Sequence, residues 1–371
     1  MQNLDTVLKQ LAAALQGEGP AVEFGDEITT VNLPEHPEAA VVVRTSGSTG
    51  RPKTVVLSVD ALAASSMATA VELRGEGQWL LALPLQYVAG VQVLVRSLFA
   101  GTRPWAMDLS EGFSPDAFAA AADELSDPIR FTSLVPTQLA RLLEAPSDDV
   151  LRVLRRFDAV LLGGASVAPA LLAQARELNV NVVTTYGSAE TSGGCVYNGR
   201  PLDGVEVRLV DGRIHLGGPT LADCYLDDPE ATSASFVELE DERFFRTSDL
   251  GELDDDGRLR VTGRVDDVIN SGGSKVSAVD VQRALETLDG VRQAFVGGIP
   301  SAEWGQAVAA AVVIEPGASW SADALSEALR PEFGVLRPRR LSLWAALPLL
   351  PNGKVDRRSI LARLEAEHGG K

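Results

Sequence analysis

The chain has 371 residues, 45% of them hydrophobic, with 51 acidic against 33 basic side chains and a formal net charge of -18. That length predicts two domains, and the acidic surplus argues against nucleic acid as a partner, because phosphate contacts need an excess of Lys and Arg. No apolar run reaches the ~18 residues of a membrane span, the N-terminus has no basic-then-apolar leader pattern, and Cys195 and Cys224 make neither a metal spacing nor a disulfide framework, so a reduced, cytoplasmic setting is expected. A halophilic and an ordinary soluble origin fit the charge equally. The histidines, His36, His215 and His368, stand beside no plausible nucleophile in the sequence, which weighs against a serine or cysteine hydrolase.

Leu4, Val7, Leu8, Leu11 and Leu15 recur at helical spacing and predict an amphipathic helix over 4–15. Residues 17–37 read as turn-rich and irregular. An apolar run, Ala39 to Val43, then leads into Thr45-Ser46-Gly47-Ser48-Thr49-Gly50-Arg51-Pro52-Lys53, and a second, Thr54 to Leu57, leads out. Two buried strands joined by glycines and hydroxyls make a phosphate-handling shape. Gly47 and Gly50 let the backbone approach an anion, successive N–H groups form an anion-binding concavity, Ser46, Ser48 and Thr49 add donors, and Lys53 adds a cation. A solvated hairpin tip would use the same residues. Pro52 stands where a P-loop needs its second glycine, so the spacing does not fit that motif.

Residues 58–73 predict a helix with Ser58 as N-cap, and Trp79 to Leu85 a short buried strand. From Pro84 to Leu98 a strand-to-helix junction runs into an apolar helix in which Arg96 is the anomaly. A guanidinium there either reaches the surface or a structural carboxylate, or holds a substrate carboxylate in its planar fork. Strand 131–135, helix 136–143, strand 157–162, helix 169–178 and strand 180–185 alternate, which implies parallel pairing in a layered α/β domain. Ligands in such sheets gather at the carboxyl ends of strands. Gly163-Gly164-Ala165 lies at one such end, where a flat group can stack on backbone, and the loop Tyr186 to Gly194 lies at another. Within that loop Glu190 is a lone carboxylate, suited either to capping a helix or to a hard cation such as Mg²⁺.

Short strands with glycine-rich turns are expected over 205–226, 244–251 and 259–264. Asp249 among them is a turn residue or an acceptor for both hydroxyls of a ribose. Helix 277–288, begun by Ser277 and Asp280, strands 293–298 and 307–314 and helix 321–329 complete a small α+β lobe. Near its end Pro351-Asn352-Gly353-Lys354 projects one lysine from a tight turn.

In order along 45–358, the Thr-Ser-Gly loop, Tyr186-Gly187-Ser188-Ala189-Glu190-Thr191, Thr247-Ser248-Asp249-Leu250-Gly251 and the Pro351–Lys354 turn closely resemble the signatures of the adenylate-forming superfamily. That superfamily holds acyl- and aryl-CoA ligases, luciferases and peptide-synthetase adenylation domains. The resemblance implies a large lobe of layered α/β sheets plus a β-rich subdomain over 1–265, and a mobile α+β lobe over 266–371. It implies ATP, Mg²⁺ and coenzyme A as ligands. Thr45, Ser46, Gly47, Ser48, Thr49, Gly50 and Lys53 would hold the β- and γ-phosphates. Gly163, Gly164, Ala165, Tyr186 and Gly187 would surround the adenine, Thr191 would meet the α-phosphate, and Glu190 would bind Mg²⁺. Asp249 and Arg264 would bind ribose or phosphate, Asp266 would be the hinge, and Gly272 and Gly273 would face the site during thioester formation. Lys354 would catalyse adenylation.

With 44 residues before the loop, the chain is N-terminally short for an acyl-CoA ligase. Together with Pro84 to Leu98, that makes it resemble the o-succinylbenzoate–CoA ligases of menaquinone biosynthesis in high-GC bacteria. Gln86-Tyr87 departs from the His-His of many relatives. The acid pocket implied is Tyr87, Gln92, Arg96, Ser188 and Gly193. The expected partners are small molecules, with a second copy of the chain, as a homodimer, beside them. Another aryl- or acyl-CoA ligase, an adenylation domain that loads a carrier protein, and a non-catalytic nucleotide-binding module stay open as alternatives.

Overall fold

The computed structural model describes residues 4–45, 53–350 and 355–368, apart from the side chain of Asp266. Its contacts divide the chain into two units. The first runs to Arg208 and resumes at His215–Thr247 and Leu253–Leu259; the second comprises Leu209–Ile214, Ser248–Glu252 and everything from Arg260.

In the first unit α1 (Leu4–Leu15) buries Val7, Leu11 and Ala14, the stripe its spacing predicts. β1 (Ala21–Phe24), β2 (Ile28–Val31), β3 (Ala39–Thr45) and β4 (Lys53–Ser58) follow. The expectation of irregular chain over 17–37 is therefore corrected. Ala21, Val22 and Phe24 are apolar enough for a strand, and β1 lies parallel to β3 with Val22 opposite Val41. After α2 (Val59–Glu72), whose Ser58 cap accepts the Ala61 N–H at 3.4 Å, come β5 (Gln78–Leu81), α3 (Val88–Phe99), β6 (Trp105–Ala106), α4 (Pro115–Asp123), β7 (Arg130–Leu134), α5 (Pro136–Leu143), α6 (Asp148–Leu154), β8 (Ala159–Leu162), α7 (Pro169–Glu177), β9 (Val182–Ser188), β10 (Gly193–Tyr197) and β11 (Arg200–Pro201).

Among the described residues the first sheet has the order β4-β3-β1-β2, and the second β11-β10-β9-β8-β7-β5-β6. β5 to β9 are mutually parallel. Neighbouring residues of this sheet serve different cores: Phe131, Ala159 and Leu161 join one, Leu80, Val160 and Leu162 the other. Burial on both faces explains why these strands read as unbroken apolar runs.

Next come β12 (Glu206–Val210), β13 (Arg213–Gly217), β14 (Cys224–Tyr225), α8 (Pro229–Ser235), β15 (Phe236–Leu239), β16 (Glu242–Leu253) and β17 (Leu259–Arg264). β14 extends the first sheet on the β4 edge, while the others form a third sheet of order β12-β13-β16-β15 with β17 on β16. The second unit continues with β18 (Val268–Ser271), β19 (Ser274–Ser277), α9 (Ala278–Glu286), β20 (Val291–Ser301), β21 (Gly305–Ile314), α10 (Ala322–Ala328), α11 (Arg330–Phe333), β22 (Arg340–Leu343) and α12 (Arg357–His368). Its sheet order is β19-β18-β21-β20, with β22 parallel to β21. Ser277 caps α9, its hydroxyl accepting the Asp280 N–H at 3.2 Å.

Burial pushes the Glu286 carboxyl above its ordinary range although it accepts the Ala294 N–H at 3.2 Å. A carboxyl with a raised folded-state pKa opposes folding once pH exceeds its unfolded value and ceases to do so when protonated. Glu286→Gln is therefore expected to raise the melting temperature at pH 7, with the difference vanishing as pH falls below the usual glutamate range. Calorimetry over a pH series checks this.

Candidate active site

The antiparallel β3–β4 hairpin brings Thr45 opposite Lys53, and the Thr45 hydroxyl donates to the Lys53 carbonyl at 3.3 Å. Ser46, Gly47, Ser48, Thr49 and Gly50 lie outside the described residues, as does Lys354. The Lys53 ammonium stands 4.2 Å above the ring centroid of Tyr225.

The stretch expected as an open loop over 186–194 is instead a tight antiparallel hairpin. Tyr186 and Gly187 belong to β9, Ala189–Thr191 forms a single 3₁₀ turn, and β10 begins at Gly193. Ser192 in the left-handed region (φ 52°) closes the turn. Glycine is required at 187: φ is 155°, and a methyl would stand 2.2 Å from the Gly193 carbonyl oxygen. Gly187→Ala is accordingly expected to destabilise the fold by more than about 1 kcal/mol, measured by urea titration, and to weaken nucleotide binding with it. Parallel pairing of β8 with β9 sets Gly163 beside Thr185, so close that a methyl on Gly163 would stand 2.3 Å from the Thr185 hydroxyl. Gly164 and Ala165 follow it, exposed, at the carboxyl end of β8. The two backbone stretches expected to flank a flat group are thus neighbours.

Glu190 is 8% exposed, and its Oε1 accepts the Tyr225 hydroxyl at 2.8 Å. Burial and that carboxylate push the Tyr225 phenol well above its ordinary range. Thr191 is fully buried. Its hydroxyl accepts the Ser188 N–H at 3.0 Å and donates to the Gly193 carbonyl at 2.8 Å, which pins the hairpin. Among the described residues no group of three acids, histidines or cysteines gathers as a protein-only metal cage. One buried carboxylate, joined through Tyr225 to Lys53, fits Mg²⁺, which takes one or two carboxylates and completes its shell with phosphate oxygens and water.

Behind this hairpin lies a buried polar cluster between α2, α3 and β10. Gln92 donates to the Ser192 carbonyl at 2.5 Å, and Gly193 packs on its stem. Arg96 is 6% exposed, donates to the Tyr197 hydroxyl at 3.2 Å, and lies 5.2 Å from the Trp79 ring centroid. The Tyr197 hydroxyl in turn shares a 3.1 Å hydrogen bond with Thr69. Arg96 has no ion pair among the described residues, so it neither reaches the surface nor meets a structural carboxylate there. Arg96 Nε, Gln92 Oε1 and Ser188 Oγ are buried without a partner among those residues. Tyr87 lies at the start of α3, its phenol raised by burial and then by Asp26.

In the second unit Asp249 and Arg264 pair at 3.0 Å. Arg264 also lines a cavity of about 80 Å³ together with Thr262, Asp267 and Ser277. Asp267, which follows Asp266, pairs with Arg357. Gly272 and Gly273, both at positive φ, make the two-residue turn of the β18–β19 hairpin.

Tyr225, Tyr197, Thr69 and Trp79 were not singled out by the sequence. Their contacts join distant segments, and a lone Tyr or Thr carries no local signal of such a role. In the fold His36 has a cysteine near it, with Cys224 Sγ 3.7 Å from Nε2. Burial raises that thiol above its ordinary range, opposite to what an activated nucleophile needs.

Residues 3–226 match the AMP-binding enzyme family and residues 280–354 the AMP-binding enzyme C-terminal domain. A probable 2-succinylbenzoate–CoA ligase of Mycobacterium tuberculosis is 41% identical over 342 residues, covering 89% of this chain and 86% of that protein. The 2-succinylbenzoate–CoA ligase of Listeria monocytogenes is 30% identical over 88% of this chain and 70% of its own length. Among solved structures, the o-succinylbenzoate coenzyme A synthetase of Bacillus subtilis in complex with AMP superposes with a TM-score of 0.72 at 26% identity, over 87% of this chain and 69% of that one. An amide bond synthetase from Marinactinospora thermotolerans gives 0.77 at 29% identity, over 91% and 71%. With this fold, these motifs and this extent of likeness, the chain belongs to the AMP-binding enzyme family.

Proposed function

We propose that the protein is an ATP-dependent, AMP-forming ligase that joins 2-succinylbenzoate, an aromatic keto-diacid, to coenzyme A through an acyl-adenylate. The observation that carries the choice of acid is Arg96: a buried guanidinium with no carboxylate among the described residues, behind the hairpin that bears Glu190. A diacid supplies the missing anion, since one carboxylate reacts and the other pairs with the fork. The 41% identity to a probable ligase of this acid over 89% of the chain supports the same reading.

In the first step a carboxylate oxygen attacks the α-phosphorus of ATP and pyrophosphate leaves. Two anions must meet, so catalysis is positioning plus positive charge. Thr45 to Gly50 and Lys53 hold the β- and γ-phosphates, Gly163 to Ala165 with Tyr186 and Gly187 flank the adenine, and Asp249 with Arg264 take the ribose. Glu190 would hold Mg²⁺, which would neutralise phosphate charge there; Thr191, whose hydroxyl also pins the hairpin, meets the α-phosphate. Lys354 meets the charge that develops on the α-phosphate. In the second step the coenzyme A thiol attacks the adenylate carbonyl and AMP leaves, with the Gly272-Gly273 turn replacing Lys354 after rotation about Asp266 within a lobe spanning 266–371. Gln92, Gly193, Ser188 and Tyr87 shape the acid pocket around Arg96.

The test is AMP and pyrophosphate formation with 2-succinylbenzoate, with and without coenzyme A. Pyrophosphate release that needs the acid, and a thioester that needs the thiol, support the proposal. Turnover confined to a simple aryl or fatty acid, or to a carrier protein as acceptor, refutes it. Among the described residues no helix is long and apolar enough to cross a membrane.

A further inference from the structure

Tyr225 lies on a segment that ties the strand leaving the Thr-Ser-Gly loop to the turn bearing Glu190. β14 pairs with β4 so that Tyr225 faces Val55. The pairing is extended on each side, by the Asp223 N–H to the Val56 carbonyl at 3.0 Å and the Leu226 N–H to the Thr54 carbonyl at 2.8 Å. Three residues before Tyr225, the Ala222 N–H donates to the Glu190 carbonyl at 2.9 Å. The ring is 3% exposed and packs against Phe236 with centroids 5.7 Å apart.

One phenol thus meets both Lys53 and Glu190. Its face receives the Lys53 ammonium at 4.2 Å, where the ring quadrupole attracts a cation. Its hydroxyl donates to Glu190 Oε1 at 2.8 Å, a charge-assisted bond that fixes one carboxylate oxygen and so the direction of the other.

We propose that Tyr225 is a positioning residue that holds Lys53 and Glu190 as one unit, so that phosphate binding at the lysine and divalent-cation binding at the carboxylate are energetically coupled through its ring. The inference rests on the proposed roles of Lys53 and Glu190 and adds the side chain that links them. If Tyr225 only fills the core, replacing its hydroxyl changes stability and leaves the cation untouched.

The experiment uses the full chain and the variants Tyr225→Phe, Tyr225→Leu, Glu190→Gln and the Tyr225→Phe/Glu190→Gln pair. Mn²⁺ binding in the presence of β,γ-methylene-ATP is followed by electron paramagnetic resonance, binding of the analogue alone by calorimetry, and folding by thermal melts. Tyr225→Phe, which keeps the ring, is expected to weaken Mn²⁺ binding roughly tenfold, as for loss of a hydrogen bond to a charged group, while binding the metal-free analogue normally. Tyr225→Leu loses both. The double variant binds Mn²⁺ no more weakly than Glu190→Gln, because the hydroxyl acts only through that carboxylate. Wild-type Mn²⁺ affinity in Tyr225→Phe, or additive losses in the pair, overturns the inference alone. Wild-type Mn²⁺ affinity in Glu190→Gln overturns the metal role of Glu190 and the inference together.

Discussion

Lys354→Ala is expected to lower formation of the acyl-adenylate by roughly 10²–10³-fold, the usual loss when one preorganised charge-stabilising donor is removed. The reason lies in the reaction. A carboxylate approaching the α-phosphate of ATP brings negative charge to a group already negative, and the protein contributes by holding cations where that charge accumulates. With the ammonium gone, ATP still has its phosphate loop and the acid its pocket, so binding changes little while the chemical step slows. The thiol step has no such need, because the adenylate is already activated and AMP is a good leaving group. Preformed acyl-AMP offered with coenzyme A to Lys354→Ala should therefore give thioester at close to the normal rate. Single-turnover measurements of pyrophosphate release and of thioester formation separate the two. Equal losses in both half-reactions would show that the lysine serves the whole cycle or merely the fold.

The second large effect is expected at Arg96. Arg96→Met keeps an unbranched stem beside Trp79 and removes the charge, so it tests the guanidinium rather than the volume. A hydrogen bond to a charged partner contributes about 1.5–3 kcal/mol, which predicts a loss of roughly 10–100-fold in kcat/KM for the keto-diacid. A monocarboxylate analogue, with nothing to offer the fork, should lose almost nothing. Parallel losses on both acids would assign Arg96 to holding the hairpin through Tyr197. Unchanged kinetics with the diacid would take it out of the pocket.

The elements that carry chemistry were legible because their signals are local. Gly47 and Gly50 between two valine-rich runs announce a strand-loop-strand, and Ala39–Thr45 with Lys53–Ser58 is that hairpin. Pro136 opens its helix where a proline is tolerated at the first turn. What escaped was non-local. β1 and β2 are short and bounded by Gly17, Gly19, Pro20 and Gly25; β1 becomes a strand by adding to β3 and β2 by adding to β1, and a window of local residues cannot register the pairing with β3. α6 is one brief helix after Ser147, too short to show a period. The hairpin over 186–197 reads as a loop because its glycines and hydroxyls are loop residues; only its pairing, Gly187 with Gly194 and Tyr186 with Val196, makes it a strand turn. At the site the motif residues were visible one by one, whereas Tyr225 and Tyr197 gain meaning from partners far along the chain.

The short run from Thr220 to Leu226 has one further consequence. It contains no signature, yet its main chain is bonded to Glu190 at one end and to the strand of Lys53 at the other. A saturating mutational scan would find there an island of intolerance in which backbone-altering changes, above all to proline at Ala222 or Leu226, mimic lesions of the nucleotide loops. Selection on catalysis would then be recorded at positions that touch no substrate.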